Sequence, residues 1–207
     1  MIIPLNKIVS KHALNICGVI HIGAHWGEEY PAYVKEGVKN MLFFEPVKSN
    51  YKKLLEILPK RKKNIRTFNF ALGSKHAISE MYIETANRGQ SCSLLAPKEH
   101  LKQYPQITFD SKESVAVERL DNVEFDRSLY NMINIDVQGY ELEVFKGAKE
   151  TLRHIDIVYT EINLKELYKD CCQVEDLDNF LKEFGFIRIL TEAPYNGWGD
   201  ALYLKYK

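Results

Sequence analysis

Three short segments of the sequence combine glycines with acidic residues in the manner of ligand-binding loops. They are residues 21–28 (HIGAHWGE), 44–46 (FEP) and 134–141 (NIDVQGYE). Each segment includes or follows an apolar run that is typical of a buried strand. Because open α/β sheets bind ligands beyond the carboxyl ends of their strands, the three segments are candidates for one shared site.

The first two segments favour a nucleoside ligand without phosphates. Gly23 and Gly27 permit a sharp strand-to-helix turn and a close approach of a ligand to the backbone. Glu45 follows the second predicted strand, where an acid can accept hydrogen bonds from both ribose hydroxyls. Glu28 and Glu29 would repel a pyrophosphate, and the third glycine of the dinucleotide pattern is missing. S-adenosylmethionine therefore fits better than NAD or FAD, and a nicotinamide-dependent oxidoreductase is disfavoured.

Acidic residues at two later strand ends are candidates for catalysis. Asp136 is the first candidate for a general base. Asp136, Glu161 and Asn163 could instead hold Mg²⁺ through oxygen ligands. For Glu161 and Asn163, however, the favoured interpretation is that they bind loop backbone or contact the acceptor directly. Glu141 would lie in the first turn of the next helix, where it either contacts the substrate or complements the helix dipole.

Histidines and aromatic residues offer weaker signals. His25 lies in the glycine segment and is the second candidate base, with packing against Trp26 as an equal alternative. His21 is predicted to be a strand residue whose ring is partnered within the fold. Tyr195 and Trp198 could stack on a sugar, although aromatic residues in hairpin loops usually pack within the protein.

The elements that must position these residues alternate in type along the chain. Apolar runs predict strands at 18–22, 41–45, 65–70, 77–83, 130–136, 155–161, 186–190 and 201–206, and amphipathic segments predict helices at 27–36, 50–58, 142–152 and 177–184. Polar residues 85–114 are predicted to form an irregular loop over the binding site. We expect one α/β domain over residues 1–207, with a Rossmann-like seven-stranded, mostly parallel sheet, an antiparallel last strand and helices on both faces.

The composition limits the classes of partner. With 207 residues, 45% of them hydrophobic, the chain suits one buried core. Basic and acidic residues number 28 each, so the net charge gives no electrostatic attraction to nucleic acid or to an anionic membrane. The basic run at 60–63 is interpreted as a solvated loop. No apolar stretch approaches the roughly 20 residues that span a bilayer, and no C-x-x-C pair occurs. A reduced, soluble, cytoplasmic protein without membrane insertion is expected.

Together these segments resemble the FkbM family of methyltransferases. Further matching stretches are ALG at 71–73, SCSL at 91–94 and VERLD at 117–121, and the most specific is IDVQGYELEVFKGA at 135–148, followed by Glu161. The resemblance spans roughly residues 18–165. The sequence departs from the family at His21, where aspartate is usual, and at His25-Trp26, where a small polar and an apolar residue are usual.

The resemblance implies a class I methyltransferase that methylates a hydroxyl oxygen of a sugar, a glycan or a related small molecule. The expected cofactor residues are Gly23, Ala24, Gly27, Glu45, Pro46, Ala71, Leu72 and Asp136; the expected substrate residues are Ser93, Gln138, Glu141 and Asn163; the expected catalytic residues are Asp136, His25 and Glu161. An RNA methyltransferase and a non-catalytic binding module on the same fold are the alternatives, and the neutral charge balance argues against the first. The sequence leaves the divalent metal, the acceptor and the oligomeric state open.

Overall fold

Ten strands form two sheets in the computed structural model, which describes residues 1–60 and 62–206; Arg61, in the basic run, lies outside the described residues. The strands are β1 (Gly18–Ile22), β2 (Asn40–Phe44), β3 (Ile65–Phe68), β4 (Ala71–Leu72), β5 (Ala77–Ile83), β6 (Ser111–Glu118), β7 (Met132–Ile135), β8 (Ile157–Asn163), β9 (Phe186–Tyr195) and β10 (Trp198–Lys205). The α-helices are α1 (Leu5–His12), α2 (Tyr30–Lys35), α3 (Lys48–Ile57), α4 (Glu99–Gln103), α5 (Glu141–Lys146), α6 (Lys149–Leu152) and α7 (Val174–Lys182).

The larger sheet has seven strands in the order β3-β2-β1-β7-β8-β10-β9. Strands β1, β2, β3, β7 and β8 pair in parallel, whereas β10 runs antiparallel to both of its neighbours. From β1 the chain adds β2 and β3 on one side of the sheet and later adds β7 and β8 on the other side. The space between the ends of β1 and β7 is therefore the switch point, where open α/β sheets bind ligands. The predicted Rossmann-like sheet and its antiparallel last strand are confirmed.

Successive side chains of a strand point to opposite faces of the sheet, so both faces of this sheet carry apolar residues. Helices cover both of these faces. Ile20 and Ile22 pack in one apolar cluster with residues of α5, α6 and α7. Val19 packs in a second cluster with residues of α1, α2 and α3. The whole of β1 is therefore buried, as its continuous apolar sequence predicts for a central parallel strand.

All four predicted helices have somewhat different bounds in the structure, and two of the differences have a clear physical cause. The helix predicted at 27–36 begins only at Tyr30, because His25 (φ 47°) and Gly27 (φ 82°) adopt left-handed backbone conformations that no α-helix contains. The helix predicted at 142–152 is divided into α5 and α6. The break follows from Gly147, whose carbonyl oxygen accepts a hydrogen bond from the Asp121 N–H instead of from the helix.

The prediction of an irregular loop at 85–114 is wrong in part. The segment contains α4, and from residue 111 it belongs to β6, the central strand of a three-stranded sheet in the order β4-β6-β5. The segment is also attached to residues after β8, since Lys98 N–H donates to Leu167 O (2.8 Å) and Lys169 N–H donates to Ala96 O (2.7 Å). These pairings join residues far apart in sequence, which local patterns do not reveal.

The terminal hairpin is longer than predicted. Strands β9 and β10 occupy most of the gap between the predicted strands at 186–190 and 201–206, and only Asn196 and Gly197 (φ 103°) lie between them. The register between β8 and β10 places Asp200 opposite Glu161 and Trp198 beyond them at the strand end. Among the described residues, no helix is long and apolar enough to cross a membrane.

Candidate functional site

A pocket of about 810 Å³ lies at the switch point of the large sheet. Of the residues predicted from the sequence, its lining includes Gly23, His25, Glu45, Pro46, Ala71, Leu72, Asp136, Gln138 and Glu161. Ala24, Gly27, Ser93, Glu141 and Asn163 lie outside the lining. The residues that line the pocket come from different strand ends, so the sheet topology is what assembles this concave site.

One half of the pocket, here called the glycine-loop half, consists of Gly23, Phe44, Glu45, Phe70 and Leu72. Gly23 has φ 77°, and a Cβ built on it would lie 1.8 Å from the backbone oxygen of Asp136. Only glycine therefore fits between the ends of β1 and β7. The same close approach brings the loop after β7 against the loop after β1.

Glu45 is 4% exposed and its carboxylate is held by the backbone. One oxygen, Oε2, accepts a hydrogen bond from His25 N–H (2.8 Å), and Oε1 accepts one from Val47 N–H (2.9 Å). Burial raises the pKa of Glu45 to about 7, and these hydrogen bonds oppose the rise. Each oxygen keeps a second acceptor position, so the ionised group could accept hydrogen bonds from two neighbouring hydroxyls.

Aromatic rings form the apolar wall beside Glu45. Phe44 stacks on Phe68 with ring centroids 4.7 Å apart and meets Phe70 edge-on at 5.7 Å. Ala71 and Leu72 continue this wall along β4. Flat apolar surfaces of this kind suit a planar heterocycle. Phe70 was not singled out from the sequence because it was counted as the last residue of the strand predicted at 65–70, whereas β3 ends at Phe68.

Gln138 connects Asp136, which follows β7, with Glu161, which lies within β8. Its Nε2 donates to Asp136 Oδ1 (2.7 Å) and to Glu161 Oε2 (2.8 Å), while its Oε1 accepts a hydrogen bond from the Tyr168 hydroxyl (2.8 Å). Its backbone adopts φ 56°, which is uncommon for residues other than glycine. The surrounding contacts therefore hold the amide in place between the two carboxyl groups.

Asp136 and Glu161 form a coupled pair at the floor of the pocket. Asp136 is exposed to the pocket space yet surrounded by protein, and this desolvation raises its pKa. Glu161 is buried, and burial together with the charges of Asp136 and Glu141 raises its pKa further, well above the usual range. The pKa of Glu161 is raised more strongly than that of Asp136, so Asp136 ionises more readily and is the better candidate to accept a proton.

Glu141 stabilises the loop after β7. Its Oε1 accepts hydrogen bonds from Val137 N–H (3.0 Å) and Gly139 N–H (3.2 Å), and burial raises its pKa to about 7. Carboxylate oxygens of Asp136, Glu141 and Glu161 lie within 4.8 Å of one another, close enough to share a metal ion. Glu141 thus replaces Asn163 in the set of possible ligands that the structure brings together.

Ser93 and Asn163 are fully buried away from the pocket lining. The Ser93 hydroxyl donates to Gln138 O (2.8 Å) and accepts from Leu95 N–H (3.0 Å), so it supports the loop that carries Gln138. The side-chain nitrogen and oxygen of Asn163 have no hydrogen-bond partner among the described residues. The structure therefore gives neither side chain direct access to a bound acceptor.

His25 joins the glycine loop to the segment after β5. Its Nδ1 lies 2.7 Å from Glu28 Oε1, its Nε2 lies 2.9 Å from Arg88 O, and its ring stacks on Trp26 at 4.7 Å. Burial lowers the pKa of His25, but the hydrogen bonds to Glu28 and Arg88 outweigh it and the pKa is raised. Because both ring nitrogens are engaged, this geometry favours the packing interpretation over a general base.

His21 is buried and partnered within the fold, as its position in β1 predicts. Its ring meets Tyr33 edge-on at 5.8 Å, and its Nδ1 lies 3.3 Å from the Tyr33 hydroxyl. Burial lowers its pKa, so the ring is neutral near pH 7. Asp200, which the sequence did not single out, places another buried carboxyl group in the pocket lining.

The other half of the pocket, here called the hairpin half, consists of His100, Tyr104, Gln106, Tyr195 and Trp198. The rings of Tyr195 and Trp198 stack 4.3 Å apart with an interplanar angle of 11°. The indole Nε1–H of Trp198 donates to the Tyr104 hydroxyl (2.9 Å). His100, Tyr104 and Gln106 were missed because no local pattern in the sequence connects them with the strand ends.

Acidic groups predominate in the lining, where the Met1 ammonium group also lies and forms an ion pair with Glu29. Six acidic residues line the pocket, and none of the described lining residues is lysine or arginine; the acids are Glu28, Glu29, Glu45, Asp136, Glu161 and Asp200. A negative lining attracts cationic ligands and tolerates neutral ones, whereas it repels phosphates. This charge is consistent with the prediction that a nucleoside without phosphates fits the glycine segment better than a dinucleotide.

Residues 21–188 match the family described as the methyltransferase FkbM domain. The 2-O-methyltransferase NoeI of Sinorhizobium fredii is 34% identical to the chain over 114 residues, which are 54% of this chain and 46% of NoeI. The chain thus spans less than half the length of this curated relative.

Solved methyltransferase structures share the fold. The methyltransferase FkbM of Methylobacillus flagellatus superposes with a TM-score of 0.61 at 17% identity, covering 90% of this chain and 43% of that protein. Magnesium protoporphyrin IX methyltransferase (ChlM) of Synechocystis, solved with bound SAM, has a TM-score of 0.54 at 9% identity, covering 97% of this chain and 76% of that protein. Since the family match extends over most of the sequence, the chain belongs to the FkbM family of methyltransferases.

Proposed function

We propose that the protein transfers a methyl group from S-adenosylmethionine to a hydroxyl oxygen of a sugar, a glycan or a related small molecule. The observation that carries the proposal is the meeting of Gly23, Glu45 and Asp136 in one pocket at the switch point. The printed name of NoeI, a 2-O-methyltransferase, supports an oxygen acceptor.

The glycine-loop half fits the methyl donor. Glu45 would accept hydrogen bonds from the two ribose hydroxyls, and the wall of Phe44, Phe70 and Leu72 would contact the adenine. The loop that begins at Gly23 would support the methionine part, beside a negative lining that suits a positively charged sulfonium. When bound, S-adenosylmethionine supplies an activated methyl group.

The remaining task of the protein is to place the acceptor oxygen and remove its proton. Holding two reactants in line can contribute about 7–11 kcal/mol, so positioning is the dominant effect. Asp136 would accept the proton of the hydroxyl, with the Gln138 amide holding its carboxylate in place. General-base assistance of this kind contributes roughly 10²–10⁴-fold.

A bound divalent metal is the alternative way to activate the hydroxyl. Asp136, Glu141 and Glu161 would supply the ligands, since their oxygens lie within 4.8 Å of one another. Methyl transfer measured with added Mg²⁺ and with EDTA separates the two routes. Equal rates in both support Asp136 as a base without metal.

The decisive experiment is calorimetric titration of the protein with S-adenosylhomocysteine. We expect one-to-one binding that Glu45→Ala weakens at least about tenfold, because both ribose hydrogen bonds are lost. Glu56→Ala, on the exposed side of α3, is the matched control and should bind normally. If the folded wild-type protein binds no S-adenosylhomocysteine, the proposal is wrong and a binding module becomes the better interpretation.

A further inference from the structure

The hairpin half has the shape and chemistry of a site for one ring of a sugar. We propose that it binds an uncharged pyranose, with the ring lying on the Tyr195–Trp198 pair and one hydroxyl directed to Asp136. This inference rests on the proposed function and names the class of its acceptor.

The aromatic pair leaves part of its surface exposed in the lining of the pocket. Tyr195 is 47% exposed although it stacks on Trp198. The only hydrogen-bond donor of the indole is already used by Tyr104. A pyranose has an apolar face of C–H groups, which packs on an aromatic ring while the hydroxyls point away from it. An exposed aromatic face beside polar groups therefore matches a sugar better than a wholly apolar ligand.

The register of β10 on β8 sets the distance from this platform to the acidic floor. Trp198 lies opposite Asn163, and Asp200 lies opposite Glu161. Residues two apart on a strand share a face and are separated by about 7 Å. Trp198 and the Asp200–Glu161 pair are thus on one face, separated by about the width of one pyranose with its hydroxyls.

Polar groups surround the space between platform and floor. Asp200 Oδ2 accepts hydrogen bonds from Ile2 N–H (2.6 Å) and the Tyr159 hydroxyl, and its Oδ1 has no donor among the described residues. Gln106 is exposed at the rim. His100 Nδ1 is buried without a partner among the described residues, an arrangement that costs free energy unless a ligand or water satisfies it. Several hydroxyls on one ring would supply such partners.

The charge of the lining selects against anionic acceptors. A nucleobase could also stack on Tyr195, but proteins that bind single-stranded nucleic acid add a basic groove for the phosphates. This pocket has six acidic residues and, among the described residues that line it, no lysine or arginine. Neutral sugars are therefore favoured over nucleotides, sugar phosphates and uronic acids.

Saturation-transfer NMR on the protein loaded with S-adenosylhomocysteine tests the inference. The probes are the methyl pyranosides of glucose, galactose, mannose and xylose, with glucose 6-phosphate, AMP and open-chain sorbitol as contrasts. We expect at least one neutral pyranoside to bind, with saturation strongest at its ring C–H protons. Glucose 6-phosphate and AMP should bind at least about tenfold more weakly, because the acidic lining repels phosphate.

Two substitutions at Tyr195 test the aromatic platform. Tyr195→Ala should weaken pyranoside binding about tenfold, which corresponds to about 1.4 kcal/mol for the lost ring face. Tyr195→Phe keeps that face and should stay within about twofold of wild type. Neither substitution should change the affinity for S-adenosylhomocysteine, since the side chain lies in the hairpin half.

The outcomes separate this inference from the proposed function. Normal binding of S-adenosylhomocysteine without binding of any pyranoside would overturn the sugar site alone. Tighter binding of AMP than of the pyranosides would indicate a nucleic-acid acceptor instead. Equal pyranoside affinity in wild type and Tyr195→Ala would show that the platform is wrong. If S-adenosylhomocysteine does not bind, the proposed function and the inference fail together.

Discussion

The two halves of the pocket are built in different ways. In the glycine-loop half, Gly23, Phe44, Glu45 and Phe70 lie within two residues of the ends of neighbouring parallel strands of the large sheet, and Leu72 comes from β4 of the small sheet. The hairpin half combines residues 100–106 with residues 195–198, which meet through long-range backbone contacts and the register of β10. The first half is thus a property of the sheet edge, and the second is a property of segments added around it.

This difference corresponds to the two ligands of the proposed reaction. A methyl donor that a whole family shares can be bound by a site that does not vary, and the strand ends of the central sheet provide such a rigid site. Acceptors differ between enzymes, and loops tolerate change better than the elements that they connect. Residues 100–106 and 195–198 are therefore where we expect acceptor specificity to reside.

The largest predicted effect concerns Asp136, where the two halves meet. Asp136→Asn should lower kcat by roughly 10²–10⁴-fold, since the amide cannot accept the proton of the acceptor. Initial rates with an identified acceptor, compared with Asp110→Asn on an exposed segment, measure the effect. The affinity for S-adenosylhomocysteine should change little. Full turnover in Asp136→Asn would remove the base role and sharpen the case for a metal.

A smaller effect is predicted for the glycine at the end of β1. Gly23→Ala should destabilise the fold by about 2–5 kcal/mol, because its left-handed backbone costs about 1–2 kcal/mol and overpacking against Asp136 costs about 1–3 kcal/mol. Gly37→Ala is the matched control, since it has φ 73° but no atom within 4 Å of the added Cβ. Urea denaturation compares the two variants. Equal losses would show that the contact with Asp136 is unimportant.

The smallest predicted effect is the pH dependence of cofactor binding. Burial raises the pKa of Glu45 to about 7, so its carboxyl group is mostly protonated at pH 6 and mostly ionised at pH 8. Only the ionised group accepts hydrogen bonds from both ribose hydroxyls, and the affinity for S-adenosylhomocysteine should therefore rise about tenfold over this range. Calorimetry at both pH values measures it. Glu45→Gln should abolish the rise; an unchanged rise would assign it to other carboxyl groups.

Much of the fold and of the glycine-loop half could be predicted because the signals are local. The apolar run of β1 and the glycine at position 23 lie within a few residues of each other, and Glu45 directly follows β2. His25 shows the limit of such signals. The sequence left a base and a packing role equally open, and a contact that favours packing is made with Arg88 O, which belongs to a distant segment.

The sequence by itself determined the order of the elements, the faces that they bury and the acidic residues that end the strands, because periodicity and turn residues act over short distances. Only the tertiary structure decided that Gly147 interrupts a helix, that residue 111 begins a strand of a second sheet, and that Trp198 and Asp200 join Glu161. Strand register and loop contacts depend on partners far away in the chain. Their positions follow from packing of the whole domain rather than from any local pattern.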